Sequence, residues 1–205
     1  MRSSVSLGHP STAVPYRDNV VRYEKSMTGS QSSRLIIIRG NSGSGKSLLA
    51  QSIRAARPRG VALLGQDTVR REILHVRDRP RALSVAYIDM SARFALDNGL
   101  DVVVEGILHS EIYGDMLTQL QKDHRGVTRT FVYELGLAET LRRHRTKTLA
   151  AEVSEEQVSS WYRESDRIPE LGEIVFDAEA SANDALAQVL TEVGWAKRND
   201  DREHE

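Results

Sequence analysis

Short apolar runs alternate along the chain with longer stretches in which apolar residues recur every three or four positions. Each run holds about four residues, mostly β-branched or aromatic, which is typical of buried strands. The runs are Leu35–Ile38, Val61–Leu64, Val102–Val104, Thr130–Tyr133 and Ile174–Phe176. The alternation predicts an α/β fold, in which parallel β-α-β units place helices on both faces of a five-stranded sheet.

The connection between the second and third runs, residues 66–100, is too long for one plain crossover helix. Its apolar spacing predicts two helices, over Thr68–Val76 and Arg81–Asn98. In the second helix we expect three side chains at helical spacing to be core: Tyr87, Met90 and Phe94. Extra material at the carboxyl end of a strand is where α/β folds bind substrates.

The two ends of the chain read differently from the middle. Residues 1–33 contain eight Ser, two Pro and two Gly without apolar periodicity, which predicts an irregular leader. Residues 197–205 form a charged tail with no core-forming side chain. The sequence thus predicts one domain over residues 34–196.

Composition narrows the function classes. The 205 residues suffice for one α/β domain. With 28 basic and 29 acidic residues, the charge balance gives no support to nucleic-acid or polybasic membrane binding. The absence of cysteine excludes disulfides, thiolate zinc sites and cysteine nucleophiles. No apolar run approaches the roughly 20 residues that span a bilayer, and no signal peptide is visible. We expect a cytoplasmic protein without membrane partners.

The strongest chemical signal is a phosphate-binding motif between the first strand and the helix that follows it. It matches the pattern G-x-x-x-x-G-K-[ST]. Its glycines allow a tight backbone that turns N–H groups toward phosphate oxygens, and the start of the helix adds its positive dipole end. The motif consists of Gly40, Asn41, Ser42, Gly43, Ser44, Gly45, Lys46 and Ser47.

Two side chains of this motif define the expected cofactors. Lys46 is expected to reach the β- and γ-phosphates of ATP. The hydroxyl of Ser47 is expected to complete the shell of a Mg²⁺ ion, together with nucleotide oxygens and waters.

A carboxylate follows the second strand at Asp67. From there it can face the γ-phosphate across the top of the sheet and accept a proton from a substrate hydroxyl. The alternative is that Asp67 only caps the helix that starts at Thr68. Both roles can hold at once.

The third strand ends in Glu105-Gly106. Three valines followed by an acid are typical of a buried strand whose terminal carboxylate faces Mg²⁺. The longer Glu side chain can instead bind the ion through water or hold the substrate. The alternative is an ordinary acid at a strand end, and Gly106 permits a sharp backbone turn.

A cluster of basic residues, Leu141–Lys147, follows the fourth strand and predicts a lid, over about 142–168, that closes on the triphosphate. Ser154–Gln157 reads as the N-capped start of a second lid helix. That helix would carry Arg163 and Arg167 on one face. The candidate phosphate contacts are Arg143, Arg145 and Arg163, with Arg167 as a further one, and the charge of such an arginine would stabilise the transferring phosphoryl group. The sequence does not say which face of the basic helix points inward. Solvent exposure and ion pairing with nearby acids are the alternatives.

These residues together resemble a small P-loop kinase of the nucleotide-kinase-like group, from about Arg34 to Trp195. The branch with chloramphenicol phosphotransferase and the zeta-type toxin kinases is similar in having an Asp after the second strand and, in the zeta type, an acid followed by Gly after the third. The resemblance implies a three-layer P-loop NTPase fold with strand order 2-3-1-4-5. It also implies ATP- and Mg²⁺-dependent phosphorylation of a hydroxyl.

Three functions stay open on the sequence. The first is a kinase whose partner is a small-molecule hydroxyl acceptor. The second is a toxin-like kinase of a nucleotide-sugar or nucleic-acid end, which shares the chemistry and differs in the acceptor. The third is an acceptor-free nucleotide-binding ATPase or switch. The sequence names neither the acceptor nor the oligomeric state.

Overall fold

Five strands rich in branched apolar residues pair into one parallel sheet in a computed structural model that describes residues 27–57, 59–145 and 154–195. The strands are β1 (Arg34–Gly40), β2 (Val61–Gly65), β3 (Asp101–Glu105), β4 (Val127–Tyr133) and β5 (Ile174–Phe176). Their order in the sheet is β2-β3-β1-β4-β5, which confirms the expected topology.

Helices cover both faces of this sheet. They are α1 (Lys46–Ala56), α2 (Leu83–Asp97), α3 (Ser110–Asp123), α4 (Leu137–Arg145), α5 (Glu155–Trp161) and α6 (Ala182–Glu192). A π-helical segment spans Thr68–Ile73, and one 3₁₀ turn spans Pro169–Leu171. In the described part of the chain no helix is long and apolar enough to cross a membrane.

The central strand β1 divides the core into two layers. Its side chains alternate between the faces, so Leu35 and Ile37 pack with α2 and α3, while Ile36 and Ile38 pack with α1 and α6. All four are fully buried. Because the strands are parallel, the carboxyl ends of β1, β2 and β3 meet at one edge of the sheet, where the candidate site lies.

The connection between β2 and β3 departs from the expected pair of α-helices. Its first element is the π-helical segment, which ends at Ile73 instead of Val76, and its second is α2. The core assignment of Phe94 was wrong, since this side chain is 69% exposed. The buried face of α2 instead presents Ile88, Ala92 and Leu96 to the sheet.

The leader predicted over residues 1–33 lies mostly outside the described residues, as does the tail at 197–205. The short described part of the leader is irregular but attached to the domain. Thr28 is buried and donates its N–H to the carbonyl of Asp123, and Ser33 bonds the ring of His124 at 2.8 Å. Packing against the end of α3 therefore starts before Arg34.

Candidate active site

The loop between β1 and α1, Gly40–Ser47, has the backbone that its glycines permit. Gly40, Gly43 and Gly45 have positive φ angles of 135°, 85° and 111°. A Cβ atom on Gly40 would lie 2.7 Å from the carbonyl oxygen of Tyr133, so only glycine allows this approach to β4. The first N–H groups of α1 consequently open onto the end of the sheet, which is the arrangement that binds phosphate.

The side chain of Lys46 lies inside this loop. The residue is 7% exposed, and its ammonium donates to the carbonyl oxygen of Asn41 at 2.7 Å and to the hydroxyl of Ser44 at 3.3 Å. The ammonium group of Lys46 is therefore held against the loop, and Lys46 lines the cavity in front of it.

Ser47 and Glu105 meet across the first turn of α1. The Ser47 hydroxyl donates to Glu105 Oε2 at 3.1 Å, and both residues line a cavity of about 120 Å³ in front of the loop, the P-loop cavity. A hydroxyl and a carboxylate are hard oxygen donors of the kind that Mg²⁺ prefers, so the pair fits this ion. Within the described ranges no three acidic or His side chains converge to hold a metal. An ion here would therefore keep waters and nucleotide oxygens as its other ligands.

Asp67 lies on the border between the P-loop cavity and a second, larger one. Its carboxylate pairs with Arg70 at 2.9 Å and with Arg71 at 3.5 Å. It makes no capping hydrogen bond to the π-helical segment, so the cap interpretation is wrong. The side chain is 63% exposed and lines both cavities.

The second cavity, called the side cavity below, measures about 360 Å³. Ile107, Ile112 and Trp161 form its apolar wall. Its polar wall includes Asp78, which accepts hydrogen bonds from Gln66 at 2.6 Å and from the Tyr113 hydroxyl at 2.7 Å. This size is typical of small-molecule sites. Polar and charged side chains outnumber apolar ones in the lining, which suits a polar acceptor.

Two buried groups hold the polar wall in place. Burial raises the pKa of Tyr113, so its phenol stays protonated and donates to Asp78. Gln66 also accepts the N–H of Leu108 at 2.9 Å, and a Cβ atom on Gly106 would clash with the Gln66 side chain. Gly106 is therefore needed for close packing against Gln66, in addition to any turn.

The first two lid arginines predicted from the sequence, Arg143 and Arg145, contact different partners. Arg143 donates to the carbonyl of Ser44 at 3.0 Å, which ties α4 to the phosphate loop. Arg145, two residues later, pairs with Glu155 at the start of α5. Hydrogen bonds from Arg142 and Arg143 lower the pKa of Glu139 to about 2. Residues 146–153 of the expected lid lie outside the described residues.

The last lid arginines are not on a helix. Ser154 and Gln157 form the expected capping box, but α5 ends at Trp161, so the prediction that Arg163 and Arg167 share a helix face was wrong. Arg163 follows the helix in irregular backbone. Its N–H donates to the side-chain oxygen of Asn41 at 3.0 Å, and its carbonyl accepts from the side-chain nitrogen at 2.7 Å.

Arg167 belongs to a network of ion pairs. It pairs with Glu173 at 3.0 Å and with Glu134 at 3.3 Å. The alternative interpretation of ion pairing therefore applies to Arg167, but its partners lie six and 33 positions away and are not the neighbouring Glu164 or Asp166.

Sequence reasoning missed Arg39, the residue immediately before the loop. Its side chain is 1% exposed and pairs with Glu173 at 2.5 Å and with Asp166 at 2.9 Å. It also donates twice to the carbonyl of Leu108, at 3.1 and 2.9 Å. A cation directly after four buried apolar residues was the only available signal.

Asp166 connects this network to the side cavity. Burial alone would raise the pKa of its carboxyl group. Hydrogen bonds from His109 and Ser110, together with the charge of Arg39, outweigh burial and hold the pKa below its usual range. The carboxylate is therefore ionised and fixes the start of α3 beside the loop.

Known proteins resemble this chain in fold but not in sequence. No protein-family model and no curated protein match the sequence. Among solved structures, the APS kinase CysC of Mycobacterium tuberculosis with AMPPNP and APS has a TM-score of 0.61 at 17% identity, over 79% of this chain and 98% of that chain. The chain shares the fold of that protein, as the sequence predicted.

Two further solved structures show the same likeness in fold. A gluconokinase from Sinorhizobium meliloti 1021 has a TM-score of 0.58 at 18% identity, over 82% of this chain and 93% of that chain. A sugar kinase from Janibacter sp. HTCC2649 has a TM-score of 0.56 at 15% identity, over 80% and 96% of the two chains.

Proposed function

We propose that this protein is an ATP-dependent kinase that transfers the γ-phosphoryl group to a hydroxyl of a small molecule. The observation that carries the proposal is the position of Asp67, which lines both the P-loop cavity and the side cavity. A carboxylate on that border can meet an acceptor hydroxyl on one side and a transferring phosphoryl group on the other. An acceptor-free switch has no need of the side cavity.

In the proposed reaction the phosphoryl group passes directly from ATP to the acceptor, and the protein forms no covalent bond to it. The acceptor oxygen attacks the γ-phosphorus, the bond from that phosphorus to the bridging oxygen breaks, and ADP leaves. Asp67 accepts the proton of the acceptor hydroxyl as the new bond forms. Lys46 and the N–H groups at the start of α1 offset the negative charge of the phosphates.

Magnesium is part of the proposal because the oxygen pair at the loop fits it. Ser47 and Glu105 would hold the ion. A bound Mg²⁺ supplies positive charge that stabilises the phosphate oxygens during transfer.

The lid arginines are proposed to complete the charge of the site. Arg143 is bonded to the loop backbone at Ser44, and Arg163 is bonded to the loop at Asn41. Arg145 pairs with Glu155 and Arg143 with Glu139, so each would have to exchange this partner for a phosphate oxygen. We rank Arg143 and Arg163 ahead of Arg145 as phosphate contacts because these two are bonded to the loop itself.

The finer assignment, to the branch with chloramphenicol phosphotransferase and the zeta-type toxin kinases, is also a proposal. Asp67 after β2 and the Glu105-Gly106 pair after β3 support it. The APS kinase, gluconokinase and sugar kinase of the same fold support small molecules as acceptors, and a cytoplasmic location would follow from the need for ATP.

The test is a screen for acceptor-dependent ADP release from ATP and Mg²⁺. The acceptors are nucleosides, nucleotides, sugars, nucleotide-sugars and hydroxylated antibiotics. For the active acceptor, we expect Asp67→Asn to lower kcat about 10²- to 10⁴-fold, the range for loss of a general base. Asp115→Asn, at an exposed position on α3, is the matched control. ADP release that no acceptor stimulates, and that Asp67→Asn leaves unchanged, would favour the acceptor-free alternative.

A further inference from the structure

The side chain of Asn41 joins the phosphate loop to the segment that follows α5. It is the second residue of the loop and is 9% exposed. Its amide uses both of its polar ends on one partner, because Arg163 donates its N–H to Oδ1 at 3.0 Å and accepts from Nδ2 at 2.7 Å. We propose that Asn41 is a positioning residue that sets the backbone of Arg163 against the phosphate loop.

The segment depends on such ties because it has no regular structure. Residues 162–168 form neither helix nor strand. Arg39, two positions before Asn41, donates to the carbonyl of Asp166 at 2.9 Å, and the Tyr162 hydroxyl donates to the carbonyl of Leu135 at 3.2 Å. Among these anchors, Asn41 alone acts directly on Arg163.

The position of the Arg163 backbone determines where its guanidinium group lies relative to the phosphate loop. Arg163 is exposed and lines a small cavity of about 20 Å³ together with Gly40 and Asn41. A shift of this backbone would move the guanidinium relative to the loop. An arginine that must meet a transferring phosphoryl group tolerates little such movement, since misplacement by about 1 Å can cost 10²-fold in rate.

The main chain and the side chain of Asn41 contact different residues. The role of the side chain can therefore be tested without removing the main-chain contact. The main-chain carbonyl accepts from Lys46 at 2.7 Å, whereas the side chain holds Arg163. Replacing the amide leaves the carbonyl in place. Binding of ATP through Lys46 should therefore survive a change that releases Arg163.

The first test measures the tie without any assay of activity. Hydrogen exchange at the Arg163 amide, followed by NMR, reports the bond to Asn41 Oδ1 directly. We expect Asn41→Ser to speed this exchange about tenfold, as loss of hydrogen bonds between neutral groups implies. Arg163→Ala keeps the backbone and should leave the exchange slow. Asn98→Ser, at the exposed end of α2, is the matched control.

The second test is kinetic and rests on the proposed function. With the acceptor found in the screen, we expect Asn41→Ser to lower kcat about tenfold or more while the KM for ATP changes less than about twofold. Adding Asn41→Ser to Arg163→Ala should cost little further, because both changes remove one arrangement. A role confined to the shape of the loop would raise the KM for ATP and make the two losses additive.

The outcomes separate this proposal from the function on which it rests. Faster exchange in Asn41→Ser, together with losses of kcat that do not add up in the double variant, supports the hydrogen-bonded link between Asn41 and Arg163. Unchanged exchange overturns the proposal. Faster exchange with additive losses of kcat, or with no loss, also overturns it. If the wild-type protein phosphorylates no acceptor, the proposed function fails. The role of Asn41 is then tested without activity: Asn41→Ser must speed hydrogen exchange at the Arg163 amide and must leave the affinity for AMPPNP unchanged. If either result is not obtained, the proposed role of Asn41 is overturned.

Discussion

Replacement of Arg39 by Met tests how the phosphate loop is anchored. The substitution removes a buried guanidinium that makes five hydrogen bonds, to Leu108, Asp166 and Glu173. The Glu173 side chain, which is fully buried, would keep its bond from Arg167 but lose its partner at Oε1. Breaking a buried ion pair on one side costs about 3 to 5 kcal/mol. For a chain of this size that corresponds to a fall in Tm of roughly 6 to 20 °C.

The assay is thermal and urea unfolding of Arg39→Met beside a matched substitution at the surface. Arg129→Met removes an exposed arginine whose partner is Glu192, with side chains 44% and 37% exposed. Such pairs contribute about 0 to 1 kcal/mol. A second variant, Arg39→Met with Glu173→Gln, should recover part of the loss because the orphaned carboxylate is gone. Equal stability of Arg39→Met and Arg129→Met would refute the reasoning.

Three further predictions concern nucleotide binding, the dependence of activity on Mg²⁺, and stability at low pH. Lys46→Ala should abolish AMPPNP binding in calorimetry and leave the circular dichroism spectrum unchanged; retained binding contradicts the role of Lys46. Glu105→Gln should raise the Mg²⁺ concentration for half-maximal activity by roughly tenfold or more; an unchanged value contradicts a Mg²⁺ ligand there. Asp166 and Glu139 have pKa values below their ordinary ones, so unfolding takes up protons in acid. Their stabilisation is present above about pH 4 and is lost as the pH falls below it, Glu139 contributing little because it is exposed. Urea unfolding in a pH series should show Asp166→Asn losing less stability in acid than the wild type, and parallel curves would contradict this.

The parts of the site that the sequence predicted are the local ones. β1, the phosphate loop and α1 follow each other without a gap, so glycine spacing and apolar runs identify them together. Asp67 and Glu105 were found because parallel strands bring their carboxyl ends to one edge. The capping box at Ser154 is likewise a signal within four residues.

The parts that the sequence could not predict depend on long-range contacts. Arg39 finds its acidic partners 127 and 134 positions later, and no periodicity encodes that pairing. Helical spacing places Phe94 on a face of α2 but does not say which face meets the sheet. The end of α5 at Trp161 left Arg163 in irregular backbone, where Asn41 sets its position.

The central claim, transfer of a phosphoryl group to a hydroxyl from a site bordered by Asp67, is tested most directly by following the γ-phosphoryl group itself. ATP labelled with ¹⁸O in that group is incubated with Mg²⁺ and the acceptor panel, and each acceptor is analysed by mass spectrometry. We predict one acceptor that gains the labelled phosphoryl group with wild-type protein and with Asp115→Asn, and far more slowly with Asp67→Asn. Label found only in inorganic phosphate, or transfer that is equally fast in Asp67→Asn, would contradict the account.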